Sequence, residues 1–181
     1  MKNSKARLSD LFPLPLLLAI AVGIPTPLPE AKAAEELFPQ ALLADFQTWT
    51  PVLPDNRTFQ SAGHGGVTVR AYFNERSEAV YRNQAPFPFP EGSIIAKAVV
   101  PSAAVPTSQA TRVYFMRKMG AGYDEVNSNW AYGFANRVNG RTVFDPMQGA
   151  LQGCISCHRA ERANDYARTV QIFRQENPAA R

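Results

Sequence analysis

Cysteine and histidine are scarce in this chain, which has two of each among its 181 residues. A closed zinc site needs four ligands, so a zinc protein of this sequence would have to recruit carboxylates. Internal repeats and low-complexity segments are also missing, which argues against a repeat architecture. The basic residues form no stripe with interleaved aromatic side chains, so we expect no nucleic-acid partner.

The sequence also lacks a convincing membrane span. Its most apolar stretch, LFPLPLLLAIAVGI, is short and interrupted by Pro13 and Pro15. Basic residues precede this stretch, and the small residues of AKA follow at Ala31 to Ala33, a pattern typical of a signal peptide. The sequence therefore predicts a signal peptide over residues 1–33, and an uncleaved N-terminal anchor is the alternative.

Cleavage would leave residues 34–181, which form one domain long enough to bury a core. The removed segment carries four basic and two acidic residues, so the formal net charge would fall from +4 to +2. We expect a periplasmic protein with no stable membrane span after cleavage. Two cysteines in an oxidising compartment would ordinarily suggest a disulfide, and that interpretation competes with their spacing.

The remaining pattern predicts an α+β fold: mainly an antiparallel β-sheet, with an N-terminal helix and a C-terminal helix that carries the cysteines. Apolar residues in AEELFPQALLADFQTW recur near helical spacing, and ERSEAVYRN predicts a short helix. Four segments are typical of strands: GVTVRAYFN, GSIIAKAVVP, TRVYFMRKM and NWAYGFANRV. No long crossover helix separates the second to fourth of these, which favours antiparallel pairing. CISCHRAERANDYART is predicted to be helical.

Both cysteines lie in the pentapeptide CISCH, as Cys154-x-x-Cys157-His158. In a c-type haem site the two thiols add to the vinyl groups of the porphyrin, and the adjacent histidine ligates the iron. A zinc site would lack ligands, and a thioredoxin-like redox pair would lie early in a βαβ unit instead of near the C-terminus. The motif therefore predicts one covalently bound haem c with His158 as the metal ligand.

The second axial position of such an iron could be filled by a histidine, by a methionine or by no protein group. The candidates are His64, Met116, Met119 and Met147. A protein ligand would close the iron and favour electron transfer, whereas an empty position would admit a small molecule. His64 lies in the glycine-flanked turn SAGHGGV, where a solvated histidine is the ordinary interpretation. Met116 lies in a strand pattern typical of core packing.

Lys97 is unusual because the strand GSIIAKAVV is apolar on both of its faces. A lysine in such a strand must extend its ammonium to solvent, find a partner or react. From periodicity alone, the extended side chain at a sheet edge is the ordinary interpretation.

The chain resembles the cytochrome P-460 family, which includes the c-prime-beta cytochromes. The resemblance rests on five segments in order: VTVRAYFN, GSIIAKAVV, YFMRKMG, NWAYGFAN and CISCHRAERANDYART. It implies a mainly β, homodimeric protein with one covalent haem and a five-coordinate iron at rest. Cys154, Cys157 and His158 match the haem attachment and ligand positions. Lys97 matches the lysine that hydroxylamine-oxidising members bond to the haem edge, so it is a candidate cofactor-binding residue.

One departure from that family pattern bears on activity. The hydroxylamine-oxidising members carry a distal carboxylate between the third and fourth strands, where it can take protons from substrate. Here that connection is the short GAGYDEVNSN, which offers only Asp124 and Glu125. A solvated acidic turn is the ordinary interpretation of this pair.

Three functions follow from these observations. The first is an exported cytochrome that oxidises hydroxylamine or nitric oxide at an open iron and passes electrons to another cytochrome. The second is a nitric oxide-binding protein without turnover, in which aromatic residues such as Tyr72, Phe73 and Phe115 could cap the pocket. The third is a simple electron carrier with a sixth protein ligand.

Overall fold

The fold is known from a computed structural model that describes residues 37–138, 141–144 and 151–180. Within these residues, seven strands form one sheet. The signal peptide predicted over residues 1–33 lies outside the described residues. No helix in the described part of the chain is both long and apolar enough to cross a membrane.

Every pair of neighbouring strands is antiparallel. The strands are β1 (Thr50–Pro51), β2 (Phe59–Ser61), β3 (Val67–Phe73), β4 (Ile94–Val99), β5 (Arg112–Lys118), β6 (Trp130–Val138) and β7 (Arg141–Phe144). Their order in the sheet is β1–β3–β4–β5–β6–β7, and β2 also pairs with β3. The four predicted strands are confirmed as β3 to β6. The other three are too short for their alternation to be recognised in the sequence.

In the part of the chain that the structure describes, four short α-helices accompany the sheet. They are α1 (Gln40–Asp45), α2 (Glu75–Tyr81), α3 (Gln152–His158) and α4 (Thr169–Glu176). The short helix predicted at ERSEAVYRN is confirmed as α2. The longer helix predicted near the N-terminus begins outside the described residues, and within them α1 is followed by a single 3₁₀ turn, Phe46–Thr48.

The two faces of the sheet pack against opposite ends of the chain. The face that we call the cavity face carries Ile95, Lys97, Met116 and Tyr132, and it packs against residues 151–173. The opposite face packs against the segment that contains Phe38 and Phe46. Gly133 allows this second contact, because a Cβ there would lie 2.8 Å from the Phe38 ring.

The predicted C-terminal helix that carries the cysteines is confirmed as α3, but the helical structure predicted through CISCHRAERANDYART is interrupted. Helix α3 ends at His158, a 3₁₀ segment follows, and Asp165 and Tyr166 take left-handed backbone angles, with φ of 49° and 67°. Asp165 is held there because its carboxylate accepts hydrogen bonds from the Phe89 backbone N–H and from Lys118. These tertiary contacts override the local helical preference.

Candidate functional site

Helix α3 presents the sequence motif along one side. Residues three and four apart share a helix face, so Cys154, Cys157 and His158 lie close together. Ile155, between the cysteines, is fully buried in the core beneath the cavity face and fixes the helix there. Both cysteines are free thiols, with Cys154 half-buried and Cys157 exposed. The structure therefore has no disulfide between Cys154 and Cys157.

The imidazole of His158 is oriented by a backbone carbonyl. Its Nδ1 lies 2.8 Å from the Tyr166 carbonyl oxygen, which leaves Nε2 free for a metal. Burial, and then the positive charge of Lys97, lower the pKa of His158 to about 4. The ring is consequently neutral at physiological pH, the state in which imidazole ligates metals.

A cavity of ≈ 300 Å³ opens beside the motif, and we call it the main cavity. Three parts of the chain line it: the β2 end and following turn, strand β4, and the segment from α3 to α4. Its lining residues include Ser61, His64, Lys97, Cys154, Cys157, His158, Glu161 and Arg168. The cysteines and histidine of the motif thus share one cavity with Lys97, 57 residues before Cys154 in the chain.

A small cavity of ≈ 30 Å³ adjoins it, since Lys97, His64, Cys154 and His158 line both. Tyr132 also lines the small cavity, with its ring centroid 5.2 Å from that of His158. The Tyr132 hydroxyl is buried, and among the described residues it has no hydrogen-bond partner. Burial raises the pKa of this phenol, so it stays protonated and able to donate. A buried hydroxyl without a protein partner can donate a hydrogen bond to an acceptor atom of a group bound in the cavity.

Lys97 lies in the middle of the cavity face, not at a sheet edge. Its neighbours in register are Ala71 on β3 and Tyr114 on β5. The side chain is 9 % exposed, and no hydrogen bond or ion pair engages its ammonium within the described residues. Burial, and then the nearby Arg168, lower the pKa of Lys97 to about 8. A sizeable fraction of this amine is therefore neutral, and so nucleophilic, close to physiological pH.

His64 differs from the solvated turn residue that the sequence favoured. It is half-buried and lines both cavities, facing the motif. The sequence carried one signal for this, the glycines on either side of His64, which allow a tight hairpin between β2 and β3.

A buried ion pair supports the backbone that orients His158, and sequence analysis missed it. The Lys118 ammonium contacts both carboxylate oxygens of Asp165, at 2.9 and 2.7 Å, and the Ser128 hydroxyl at 2.8 Å. The Trp130 indole N–H donates to the Asp165 carbonyl at 2.8 Å. Asp165 directly precedes Tyr166, whose carbonyl contacts His158, so the pair holds that carbonyl in place.

The other candidates are divided between the cavities and the rest of the fold. Neither Asp124 nor Glu125 lines the main or the small cavity; Asp124 instead accepts hydrogen bonds from the Asn127 side chain. Met116 lines the small cavity, Met119 packs near the opposite face of the sheet, and Met147 lies outside the described residues. Of the three proposed aromatic caps only Phe115 lines a cavity, while Tyr72 and Phe73 belong to the core.

Comparison with known families decides the relationship. The model of the family described as cytochrome P460 matches residues 43–169, well over half of the chain. The chain belongs to the cytochrome P460 family. No match is found among curated proteins. Membership implies a haem cofactor, in agreement with the sequence motif.

The residues around the main cavity fit a haem. Two unpaired thiols and a neutral imidazole face one cavity, and the unpartnered Tyr132 hydroxyl lies beside them. Within the described residues, no group of three or more histidine, cysteine, aspartate or glutamate side chains is placed to hold a metal ion. The main cavity lies between α3 and the cavity face, so these two elements would hold a haem there.

Proposed function

We propose that this protein is an exported cytochrome with a single haem c and an open iron position, which oxidises hydroxylamine or nitric oxide. The observation that carries the proposal is the main cavity, which brings Lys97 to the same space as the Cys154, Cys157 and His158 side chains. A buried lysine without a protein partner is costly, so its presence there favours a chemical role.

In this proposal each residue has a separate task. The Cys154 and Cys157 thiols form thioethers to the cofactor, and His158 ligates its iron through Nε2. The bound haem supplies an iron that takes a nitrogen ligand and exchanges single electrons with a partner. Lys97 is proposed to bond to the haem edge, because its amine is buried, accessible from the cavity and easily deprotonated. An N–C bond would replace one amine N–H and one haem C–H bond, with two protons released to solvent and two electrons passed to the redox partner.

Mass spectrometry under denaturing conditions tests attachment directly. Protein matured with haem should retain the mass of one haem, and Cys154→Ser with Cys157→Ser should lose it. Peptide mapping should then find Lys97 modified. Haem that separates from the unmodified chain on denaturation would contradict covalent attachment.

The optical spectrum tests the lysine bond. With the bond, the reduced protein should show a strongly red-shifted Soret band, and Lys97→Ala should abolish the shift. Lys97→Arg is the matched control, because it keeps the positive charge and removes the primary amine. A shift that persists in either variant would rule out the bond.

Nitric oxide binding without turnover is the second candidate function. The observation in its favour is that neither Asp124 nor Glu125 lines the main or the small cavity, so no carboxylate of that connection is placed to take protons from substrate. Steady-state assay with hydroxylamine and an electron acceptor separates the two functions. A high-spin protein that binds nitric oxide tightly but does not turn over hydroxylamine would establish the second.

A simple electron carrier is the third candidate, and it requires a sixth protein ligand. His64 and Met116 line the small cavity and are the available ligands there. An ordinary low-spin c-type spectrum would favour this function and exclude the other two.

The remaining elements of the proposal concern location and assembly. We propose a periplasmic homodimer that passes electrons to another cytochrome. N-terminal sequencing after expression in a bacterium should begin at residue 34, in the periplasmic fraction, and light scattering should give twice the chain mass. A cytoplasmic or monomeric product would contradict the corresponding element alone.

A further inference from the structure

The hairpin between β2 and β3 carries His64 over the main cavity. Strand β2 ends at Ser61, which pairs with Val67, so only five residues form the connection. Gly65 and Gly66 have φ of 79° and 71°, angles that other residues rarely adopt, and they let the chain reverse directly after His64. The turn is thus short and its histidine faces inward.

Two contacts fix the orientation of the His64 ring. It stacks on the Tyr114 ring, with centroids 4.1 Å apart and planes inclined by 7°. Its Nδ1 lies 2.9 Å from the Ser61 hydroxyl oxygen. Because Ser61 engages Nδ1, Nε2 is the ring nitrogen left for a ligand in the cavity.

Charged and titratable groups face His64 from each element packed around the main cavity. They are Lys97 on β4, Tyr114 on β5, Cys154, Cys157 and His158 on α3, and Glu161 and Arg168 beyond it. Burial, then Lys97 and then His158, lower the pKa of His64 to about 4. At physiological pH the ring is neutral and has a nitrogen lone pair available.

We infer that His64 accepts the proton that a nitrogen substrate releases in this cavity. The inference rests on the proposed function, and it assigns to His64 the role that Asp124 and Glu125 are not placed to fill. In this arrangement His64 Nδ1–H donates to the Ser61 hydroxyl, so that Nε2 carries the lone pair.

The proton transfer is balanced in a simple way. An O–H or N–H bond of hydroxylamine breaks, its proton joins Nε2, and the bonding electrons stay with the substrate until they leave to the redox partner. The resulting imidazolium lies beside Lys97 and is half-buried. Because the ring is partly exposed, contact with water returns the proton to solvent and restores the neutral ring.

Two substitutions at His64 separate its possible roles. His64→Gln keeps a hydrogen-bond acceptor but cannot take up a proton, and His64→Phe keeps an aromatic ring for Tyr114 but has no acceptor. Glu78→Gln is the control, because it alters the ion pair of Glu78 with Arg82, and Glu78 lines neither the main nor the small cavity. All three are compared as haem-loaded protein, with loading verified by mass.

Hydroxylamine and nitric oxide provide a matched pair of ligands, since only hydroxylamine has hydrogens to donate. His64→Phe should weaken hydroxylamine binding by about tenfold, the effect of one lost hydrogen bond, and leave nitric oxide binding unchanged. His64→Gln should bind both ligands normally. In turnover, His64→Gln should lower kcat by about 10²–10⁴-fold with little change in KM, while Glu78→Gln behaves as wild type.

Three results would overturn the inference. Equal weakening of both ligands would mean that His64 only shapes the cavity, and hydroxylamine binding and turnover unaffected by either variant would mean that it has no role. A low-spin wild type that becomes high-spin in His64→Phe would identify His64 as an iron ligand. If wild type binds hydroxylamine but does not oxidise it, the proposed oxidation fails, and the hydroxylamine against nitric oxide comparison still decides the role of His64.

Discussion

Two lysines on the same face of neighbouring strands have opposite surroundings. Lys118 on β5 is 5 % exposed and is fully paired, with Asp165 and Ser128 around its ammonium and the Trp130 ring 5.1 Å from it. Lys97 on β4 is 9 % exposed and faces the main cavity without such partners. The charge of Lys118 is therefore neutralised within the core, whereas, among the described residues, the charge of Lys97 lies unpaired beside the main cavity.

The difference separates a buried charge that contributes to stability, at Lys118, from one that faces the candidate functional site, at Lys97. A paired charge can be retained at little net cost, whereas an unpaired one destabilises the fold. Lys97 carries that cost at a position where its side chain faces the Cys154–His158 motif. Substitutions at the two lysines and their partners should consequently change stability in opposite directions.

The largest expected effect is at the paired lysine. Asp165→Asn removes the carboxylate that pairs with Lys118 in the described residues, while asparagine still tolerates the left-handed backbone at this position. We expect the free energy of unfolding to fall by about 3 kcal/mol, because a buried ammonium loses its countercharge. Urea denaturation followed by circular dichroism measures the change.

The exposed pair between Arg57 and Glu176 is the control for this prediction. Its side chains are 52 % and 43 % exposed, so Glu176→Gln should cost less than about 1 kcal/mol. Equal losses for Asp165→Asn and Glu176→Gln would show that burial does not strengthen the first pair.

The second effect has the opposite sign. Lys97→Met should raise the free energy of unfolding of haem-free protein at pH 7 by up to about 3 kcal/mol. The reason is that the pKa of Lys97 is lowered from 10.5 to about 8, which makes the charged form unfavourable in the fold. Lys118→Met is the matched substitution and should destabilise, since it leaves Asp165 buried and unpaired. The contrast fails if both variants shift in the same direction.

The third prediction concerns pH. Between pH 8 and 10.5 the folded protein binds fewer protons at Lys97 than the unfolded chain does, so its stability rises with pH in this window. The advantage of Lys97→Met, up to about 3 kcal/mol at pH 7, should therefore shrink as the pH approaches 10.5. Denaturation curves of both proteins at a series of pH values check this, and a constant difference would show that the ammonium is not destabilising.

The smallest effect is expected at Tyr132. In haem-free protein, Tyr132→Phe removes a buried hydroxyl without a partner in the described residues and should stabilise by about 1 kcal/mol. In haem-loaded protein the same change should be destabilising by a similar amount if the hydroxyl donates to the cofactor. Thermal denaturation of both forms gives the two signs. A stabilised haem-loaded variant would show that the hydroxyl has no partner there either.

Sequence patterns predicted the parts of this fold that depend on local alternation. Strands β3 to β6 and helix α2 follow from periodicity, and the apolar faces of β4 already made Lys97 conspicuous. The break at Asp165 could not be predicted, because it depends on contacts with Lys118 and Phe89, far away in the chain. Tertiary pairing of this kind leaves no local signal.

The candidate site shows the same division. The spacing of Cys154, Cys157 and His158 is local, and it predicts a haem motif without a structure. The position of His64 depends on how the β2–β3 hairpin folds over the sheet, so its turn alone suggested only a solvated residue. The sequence showed that the connection between the third and fourth predicted strands offers only Asp124 and Glu125 in place of the distal carboxylate of hydroxylamine-oxidising members. It did not show that His64 lies beside the main cavity.

Strand β4 lines one side of the main cavity, and the turn between β2 and β3 lines another. Lys97 lies on β4, which is hydrogen-bonded to β3 on one side and to β5 on the other. The turn is the short connection from Ala62 to Gly66. Insertions or exchanges in that connection can alter what enters the cavity without moving the strand beneath it. Ligand preference can therefore diverge among related proteins, or be redesigned, by replacing the five residues of this turn while β4 and Lys97 stay unchanged.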